Sequence, residues 1–175
     1  MKKLLLTLVL IFSTLLHAEE VPSFSLTTVD DKNITVNQLN ISKTETGLEF
    51  KEFKGKAVLL VLFGHRCPPC LKEIPEFIAL TKKHKDDLEI VAIESQQYPT
   101  DKVKEFVAEH QMNYNVVAGI EHNDFIMYIA SMAGYTQGIP LPLLIAVNKN
   151  GEVEQVQAGI IREDELEMLV EELNN

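Results

Sequence analysis

Tryptophan is absent from the 175-residue chain, and cysteine occurs only twice, at Cys67 and Cys70. With no second C-x-x-C and no H-x₃₋₅-H, a tetrahedral zinc site would lack half its ligands. Glycine is sparse, with 8 residues, proline at 7 is not abundant, and no repeat or low-complexity tract interrupts the chain. Basic residues are outnumbered, 16 against 26 acids, for a net charge of −10. That balance argues against nucleic acid, DNA included, and against anionic membrane surfaces as partners. The longest early apolar run, Leu4 to Leu16, has 13 residues and falls short of the ~20 that span a bilayer. No cysteine stands directly after it, which argues against a lipoprotein anchor. What is present is ordinary: 46 % hydrophobic and 24 % charged residues, and enough length for one domain with a real core.

The first 18 residues have the layout of a secretory signal. Lys2 and Lys3 form a basic start, Leu4 to Leu16 the apolar region, and Leu16-His17-Ala18 a cleavage site before Glu19. The expected division is a signal peptide over 1–18 and one domain over 19–175, exported to the periplasm. An uncleaved membrane anchor is the alternative. Loss of the two leader lysines would make the mature chain more acidic. Export also places the cysteine pair in an oxidising compartment.

One stretch organises the remainder. Ala57 to Phe63 (AVLLVLF) is an unbroken apolar run, which predicts a strand covered on both faces. Gly64-His65-Arg66 ends it. After Cys67-Pro68-Pro69-Cys70, the residues Ile74, Phe77, Ile78 and Thr81 recur at helical spacing. A buried strand therefore delivers C-x-x-C to the first turn of a helix. With Cys67 as N-cap, Pro68 occupies the first helical position, where its missing N–H costs nothing. Cys67 then lies at the positive end of the helix dipole, which favours its thiolate. The thiolate attacks in disulfide exchange, and Cys70 is placed to resolve the mixed disulfide. Pro75 predicts a kink in this helix.

Upstream, Phe24-Ser25-Leu26 and Ile34-Thr35-Val36 read as strands flanking a turn at Asp30–Asn33. Thr44-Glu45-Thr46-Gly47 reads as a second turn before Leu48-Glu49-Phe50. Downstream, Leu88–Ile93, Tyr114–Ala118, Pro142–Asn148 and Val153–Ala158 read as strands, with Asn150-Gly151 as a hairpin turn. Asp101–His110 and Arg162–Leu173 read as amphipathic helices. Asn123–Met132 is apolar nearly all round, so it is either deeply covered or a contact surface, and burial is the better reading. The alternation implies an α/β domain, a mixed sheet with helices on both faces and a β-hairpin extension at its N-terminus.

Other roles for the cysteine pair are weaker. A structural disulfide closing so short a loop contributes about 2 kcal/mol, against about 3 for a 15-residue loop. Two buried free thiols sit poorly with a helix start. Peroxiredoxin chemistry would need Pro and Thr where Leu60 and Gly64 stand. Copper(I) binding by His65, Cys67 and Cys70 is the rival from another class, since these are soft ligands. His84, His110 and His122 are scattered singly and read as surface or helix-flank residues.

The element order resembles the thioredoxin fold, and the details resemble the TlpA/ResA-type exported thioredoxin-like disulfide reductases. The residues that carry the likeness are Gly55-Lys56, Phe63, Cys67-Pro68-Pro69-Cys70, Glu73 and Pro75, with Pro142 placed nine residues before Gly151. The resemblance covers roughly residues 21–175. It implies a thiol–disulfide oxidoreductase needing no cofactor, acting on protein thiol or disulfide substrates. It implies Cys67 as nucleophile, Cys70 as resolving thiol and Glu73 as proton acceptor. It also implies a cis Pro142, chosen over Pro140, whose neighbour Leu141 offers its backbone edge to an extended substrate. Pro68 and Pro69 border the same surface. A membrane protein that carries reducing power across the inner membrane is the implied electron donor. Apocytochrome c and misoxidised exported proteins are the implied substrates.

The chain also departs from the family. Arg66 replaces the usual Trp, and Val61 replaces the buried Asp found in many thioredoxins. Two features oppose each other in setting redox poise. Pro69 has no N–H, so only the Cys70 amide can donate to the Cys67 sulfur, which weakens thiolate stabilisation. Arg66, and His65 if protonated, would strengthen it, unless both are solvent-facing loop residues. The expectation is a reducing role, with a disulfide-forming oxidase as the alternative. Titrating the alkylation rate of Cys67 checks this. A pKa moderately below 8.5 is expected, whereas one near 3–4 would mark an oxidant.

Overall fold

The computed structural model describes residues 21–42 and 45–175. The expected signal segment over 1–18 and its cleavage site lie outside the described residues, as does Thr44. Two sheets make up the architecture. Strands β1 (Ser23–Thr27), β2 (Asn33–Asn40) and β3 (Thr46–Phe50) form a small antiparallel sheet in that order. The main sheet is built from β4 (Ala57–Phe63), β5 (Leu88–Glu94), β6 (Asn115–Ala118), β7 (Leu143–Val147) and β8 (Val153–Ala158), in the order β6-β5-β4-β7-β8. The β5 and β6 pairings are parallel, and those of β7 are antiparallel. Helices α1 (Pro68–Lys83), α2 (Thr100–Glu109), α3 (Asn123–Met132) and α4 (Glu163–Leu173) connect and cover them. No helix among the described residues is long and apolar enough to cross a membrane.

The central strand has no polar side chain because neither of its faces meets water. Successive residues of a strand point to opposite faces. Leu59, Val61 and Phe63 join Ile74 and Phe77 of α1, Val103 of α2 and Leu166 and Leu169 of α4. Val58, Leu60 and Leu62 join Phe125 and Ile129 of α3 and Leu26, Ile34 and Val36 of the small sheet. Every residue of β4 is buried. The apolar character of α3 has the same cause, since Phe125, Ile126, Ile129 and Ala130 are buried between the two sheets. Phe24 of β1 packs on Phe125 and Tyr128, with ring centroids 5.1 and 4.9 Å apart. The Tyr128 hydroxyl donates to Gln38 Oε1 at 2.8 Å. Burial, rather than a contact surface, therefore accounts for most of this helix, although Met127 is exposed.

The N-terminal β-extension is present as expected, with β1 and β2 paired antiparallel. A third strand joins it, and Thr46 and Gly47 belong to that strand rather than to a turn. The reason is a close approach between sheets. A Cβ on Gly47 would lie 2.2 Å from the carbonyl oxygen of Gly151, in the β7–β8 hairpin, and Leu48 N donates to that same oxygen at 2.8 Å. Gly47 is thus a residue of contact, not of chain reversal. At the other end of the small sheet, Val29 N donates to Val116 O at 2.8 Å. Pro75 lies inside α1 without ending it.

Replacing Gly47 by Ala should cost about 2 kcal/mol, because backbone rather than a flexible side chain must give way. Gly55 has φ +84° but open space around it, so Gly55→Ala should cost only about 1 kcal/mol. Urea unfolding midpoints check the pair; equal losses would mean that the apposition of the two sheets is loose.

Candidate active site

The end of β4 and the start of α1 place the cysteines. Cys67 caps α1 in extended conformation, with Pro68 and Pro69 in the first two helical positions. Cys67 N donates to Gly64 O at 3.1 Å, closing the tight connection from the strand. The two sulfurs form a disulfide of 2.06 Å, and both cysteines are buried. Cys70 N donates to Cys67 Sγ at 3.3 Å. Pro69 can offer no such bond, so a Cys67 thiolate has one backbone donor in its cap.

Glu73 lies one helical turn beyond Cys70 and is only 2 % exposed. It is no solvated glutamate. Its Oε1 accepts from Ile161 N at 3.0 Å. Burial pushes its carboxyl up to about 7, against the lowering effect of that hydrogen bond, and the charge of Glu76 adds to the rise. Glu76 is itself shifted upward by burial and by Glu163. Cys70 and Glu73 share a small cavity of about 10 Å³, the space of one water-sized sphere. Val61, Phe63, Ile74, Phe77, Ala92 and Tyr114 complete its lining. Burial and the neighbouring Glu73 raise the Tyr114 phenol out of any role as an acid at neutral pH. Val61, where a strand carboxylate could have stood, is apolar wall, so Glu73 is the titratable carboxyl that faces this cavity.

The peptide bond Leu141–Pro142 is cis. Pro142 directly precedes β7, which runs antiparallel beside β4, and its carbonyl accepts from Gly159 N at 2.8 Å. Leu141 is half-buried and Pro68 exposed.

His65 and Arg66 part company. The His65 side chain is buried, 8 % exposed, with Nδ1 at 2.8 Å from Glu94 Oε1. Its ring stacks on Tyr98 at 3.8 Å. Arg66 is exposed, and its Nε donates to His65 Nε2 at 2.9 Å. With Nε2 accepting from Arg66, Nδ1 is the nitrogen that donates to Glu94. Both ring nitrogens are committed, so a copper site using His65 would have to break one of these bonds. Among the described residues, no three His, Cys, Asp or Glu side chains are grouped to hold a metal ion. His84 and His110 close α1 and α2, and His122 precedes α3.

Glu94 was not legible from the sequence. It reads as the polar residue after the strand LEIVAI, yet its side chain is 0 % exposed. It accepts from the backbone N–H of His65, Gln96 and Tyr98 as well as from the His65 ring. Its position could be found only from the pairing of β4 with β5, which sets Phe63 opposite Glu94. The available signal was a carboxylate at the C-terminal end of a parallel strand, where α/β sheets gather functional groups.

The raised carboxyl has a stability consequence with a definite sign. The folded protein holds the Glu73 proton to about pH 7, while the unfolded chain releases it near 4.5. Between these values the native state binds the extra proton, so stability is full below 4.5 and falls as pH rises to about 7. Glu73→Gln removes this dependence and should be more stable than the parent at pH 8 by roughly 1–2 kcal/mol. Urea titrations of the disulfide form at pH 4.5 and 8 check it; a parent-minus-variant difference that does not change with pH would contradict it.

Comparison with known proteins agrees with this geometry. The Redoxin family model matches residues 17–171. The chain is 31 % identical over 151 residues to the thiol-disulfide oxidoreductase ResA of Bacillus thuringiensis subsp. konkukian, covering 85 % of this chain and 73 % of that protein. It is 31 % identical over 126 residues to ResA of Halalkalibacterium halodurans, covering 71 % of this chain and 66 % of the relative. The chain therefore spans about two thirds to three quarters of the length of these relatives. Among solved structures, the thioredoxin-family thiol:disulfide interchange protein of Chlorobium tepidum superposes with a TM-score of 0.62 at 24 % identity, over 88 % of this chain and 94 % of that one. StoA of Bacillus subtilis superposes with a TM-score of 0.59 at 19 % identity, over 85 % and 96 %. Their likeness is one of fold. The capped cysteine pair and the matched sequences together make this chain a member of the Redoxin family, within its ResA/TlpA-type thioredoxin-like thiol–disulfide oxidoreductases.

Proposed function

We propose that the protein is an exported thiol–disulfide oxidoreductase that works as a reductase on polypeptide substrates. The observation that carries this reading is the Cys67–Cys70 disulfide at the start of α1, with the buried Glu73 carboxyl sharing the cavity behind Cys70. In the reduced protein, the Cys67 thiolate attacks one sulfur of a substrate disulfide. A mixed disulfide forms and the other substrate sulfur leaves as a thiolate. Glu73 takes the proton of the Cys70 thiol across the cavity. The Cys70 thiolate then attacks Cys67 Sγ, the mixed disulfide breaks, and the second substrate sulfur leaves. The substrate has gained two electrons and the protein is left as its disulfide. A dithiol donor must restore it. A membrane protein that passes reducing equivalents across the inner membrane fits that need. Leu141 and Pro142 would hold the substrate backbone, with Pro68 and Pro69 beside it.

The surroundings of Cys67 support that direction. An oxidant needs a strongly stabilised thiolate. Here the sulfur receives one backbone N–H, Arg66 donates its Nε–H to His65, and the His65 ring is turned onto Glu94. The strengthening expected from these two side chains is therefore not delivered as hydrogen bonds to sulfur. Haem-site cysteines of apocytochrome c and misoxidised exported proteins are the substrates this role would serve. The leader-like sequence over 1–18 supports export to the periplasm.

Cys70→Ala should accumulate mixed disulfides through Cys67 that dithiothreitol releases. Glu73→Gln should slow release of the mixed disulfide by about ten- to hundred-fold while its formation is less affected. Acid-quenched gels resolve the two steps. The reading fails if Cys70→Ala traps nothing and the parent does not equilibrate with glutathione.

A further inference from the structure

The residue before the redox pair is held in a way that catalysis at sulfur does not use. Arg66 N donates to Gln96 Oε1 at 2.9 Å, and a Cβ on Gly64 would meet the Gln96 side chain at 2.4 Å, so the two loops interlock. Arg66 Nε is fixed on His65 Nε2, and His65 is fixed in turn by Glu94 and Tyr98. A buried carboxylate thus orients an imidazole, which orients a guanidinium. The remaining edge of that guanidinium, Nη1 and Nη2, meets no acceptor among the described residues, and Arg66 is in none of their ion pairs. Arg162, the chain's other arginine, differs: it pairs with Asp164 and Glu165.

The segment of chain around Arg66 is cationic. Between Gly64 and Lys72 the charged side chains are Arg66 and Lys72, and the first turn of α1 carries no acid. The helix N-terminus adds its partial positive charge. This lip stands on a chain whose net charge is −10. An anchored, exposed guanidinium with a free edge is suited to a carboxylate, which it can grip with two parallel N–H bonds. We infer that Arg66 is a specificity residue: its free edge, aimed by the His65–Glu94 relay, binds a carboxylate of the substrate polypeptide beside the disulfide that Cys67 attacks. This rests on the oxidoreductase reading above.

The test uses the reduced full-length protein and three peptide disulfides that differ only in the residue flanking each cysteine: Asp, Asn or Lys. Single-turnover reduction is followed by acid quench. The Asp peptide should react about five-fold faster than the Lys peptide at low salt, and the ratio should shrink toward one at high salt. Arg66→Gln should bring the ratio to about one at any salt. Arg66→Lys, which keeps the charge but loses the anchored fork, should retain about a two-fold ratio. An Arg66→Gln variant that slows all three peptides equally, with the ratio preserved, would overturn the inference in favour of a loop-holding role. Equal rates for the three peptides with the parent protein would overturn it too, while leaving the oxidoreductase reading intact. If the parent reduces none of them, both fall.

Discussion

The full burial of β4 is the constraint on which the rest of this molecule depends. Each of its seven residues is covered, one set by α1, α2 and α4 and the other by α3 and the small sheet. A strand so enclosed resists slipping, because each of its two apolar sets is close-packed against different neighbours. Its C-terminal end is therefore a fixed point. Gly64 to Cys67 turn away from that point, and the cysteine pair inherits its position.

The same enclosure sets the chemistry. Helix α1 lies against β4 with Ile74 and Phe77, and Glu73 stands on this covered side of the helix. Removing a carboxylate from water disfavours its charge, and one hydrogen bond from Ile161 N offsets only part of that penalty. The result is a carboxyl that can give or take a proton near neutrality beside Cys70. On the far side of the cysteine loop a second buried carboxylate, Glu94, meets a different fate. Three backbone N–H groups and an imidazole N–H satisfy it, and it ties the loops around the cysteines together.

Much of this was legible in the chain itself. The apolar run at Ala57–Phe63 and the N-cap at Cys67 with Pro68 behind it stand in the structure where the sequence put them, fixed locally by hydrophobic period and capping chemistry. The cis Leu141–Pro142 bond also stands in the structure, but it was expected from the family resemblance rather than from the residues alone. The start of the third strand of the small sheet was not legible, because Gly47 looks like a turn residue until the Gly151 carbonyl is seen against it. His65 was ambiguous for a similar reason. A histidine in a three-residue loop looks solvated unless its partner is known, and that partner lies 29 residues away.

The sequence by itself determined the fold class, the redox pair and its place at a helix start, since periodicity and cap preferences act over a few residues. Tertiary structure alone decided which carboxylates would be buried and what would surround each of them. Burial is a property of what packs across a gap, not of the residue that fills it. Glu73 and Glu94 are the same amino acid; Glu73 faces an apolar cavity and is driven toward its neutral form, while Glu94 meets four donors supplied by loops. That difference arises only when parallel β4 and β5 end side by side and the β8–α4 connection folds back over α1.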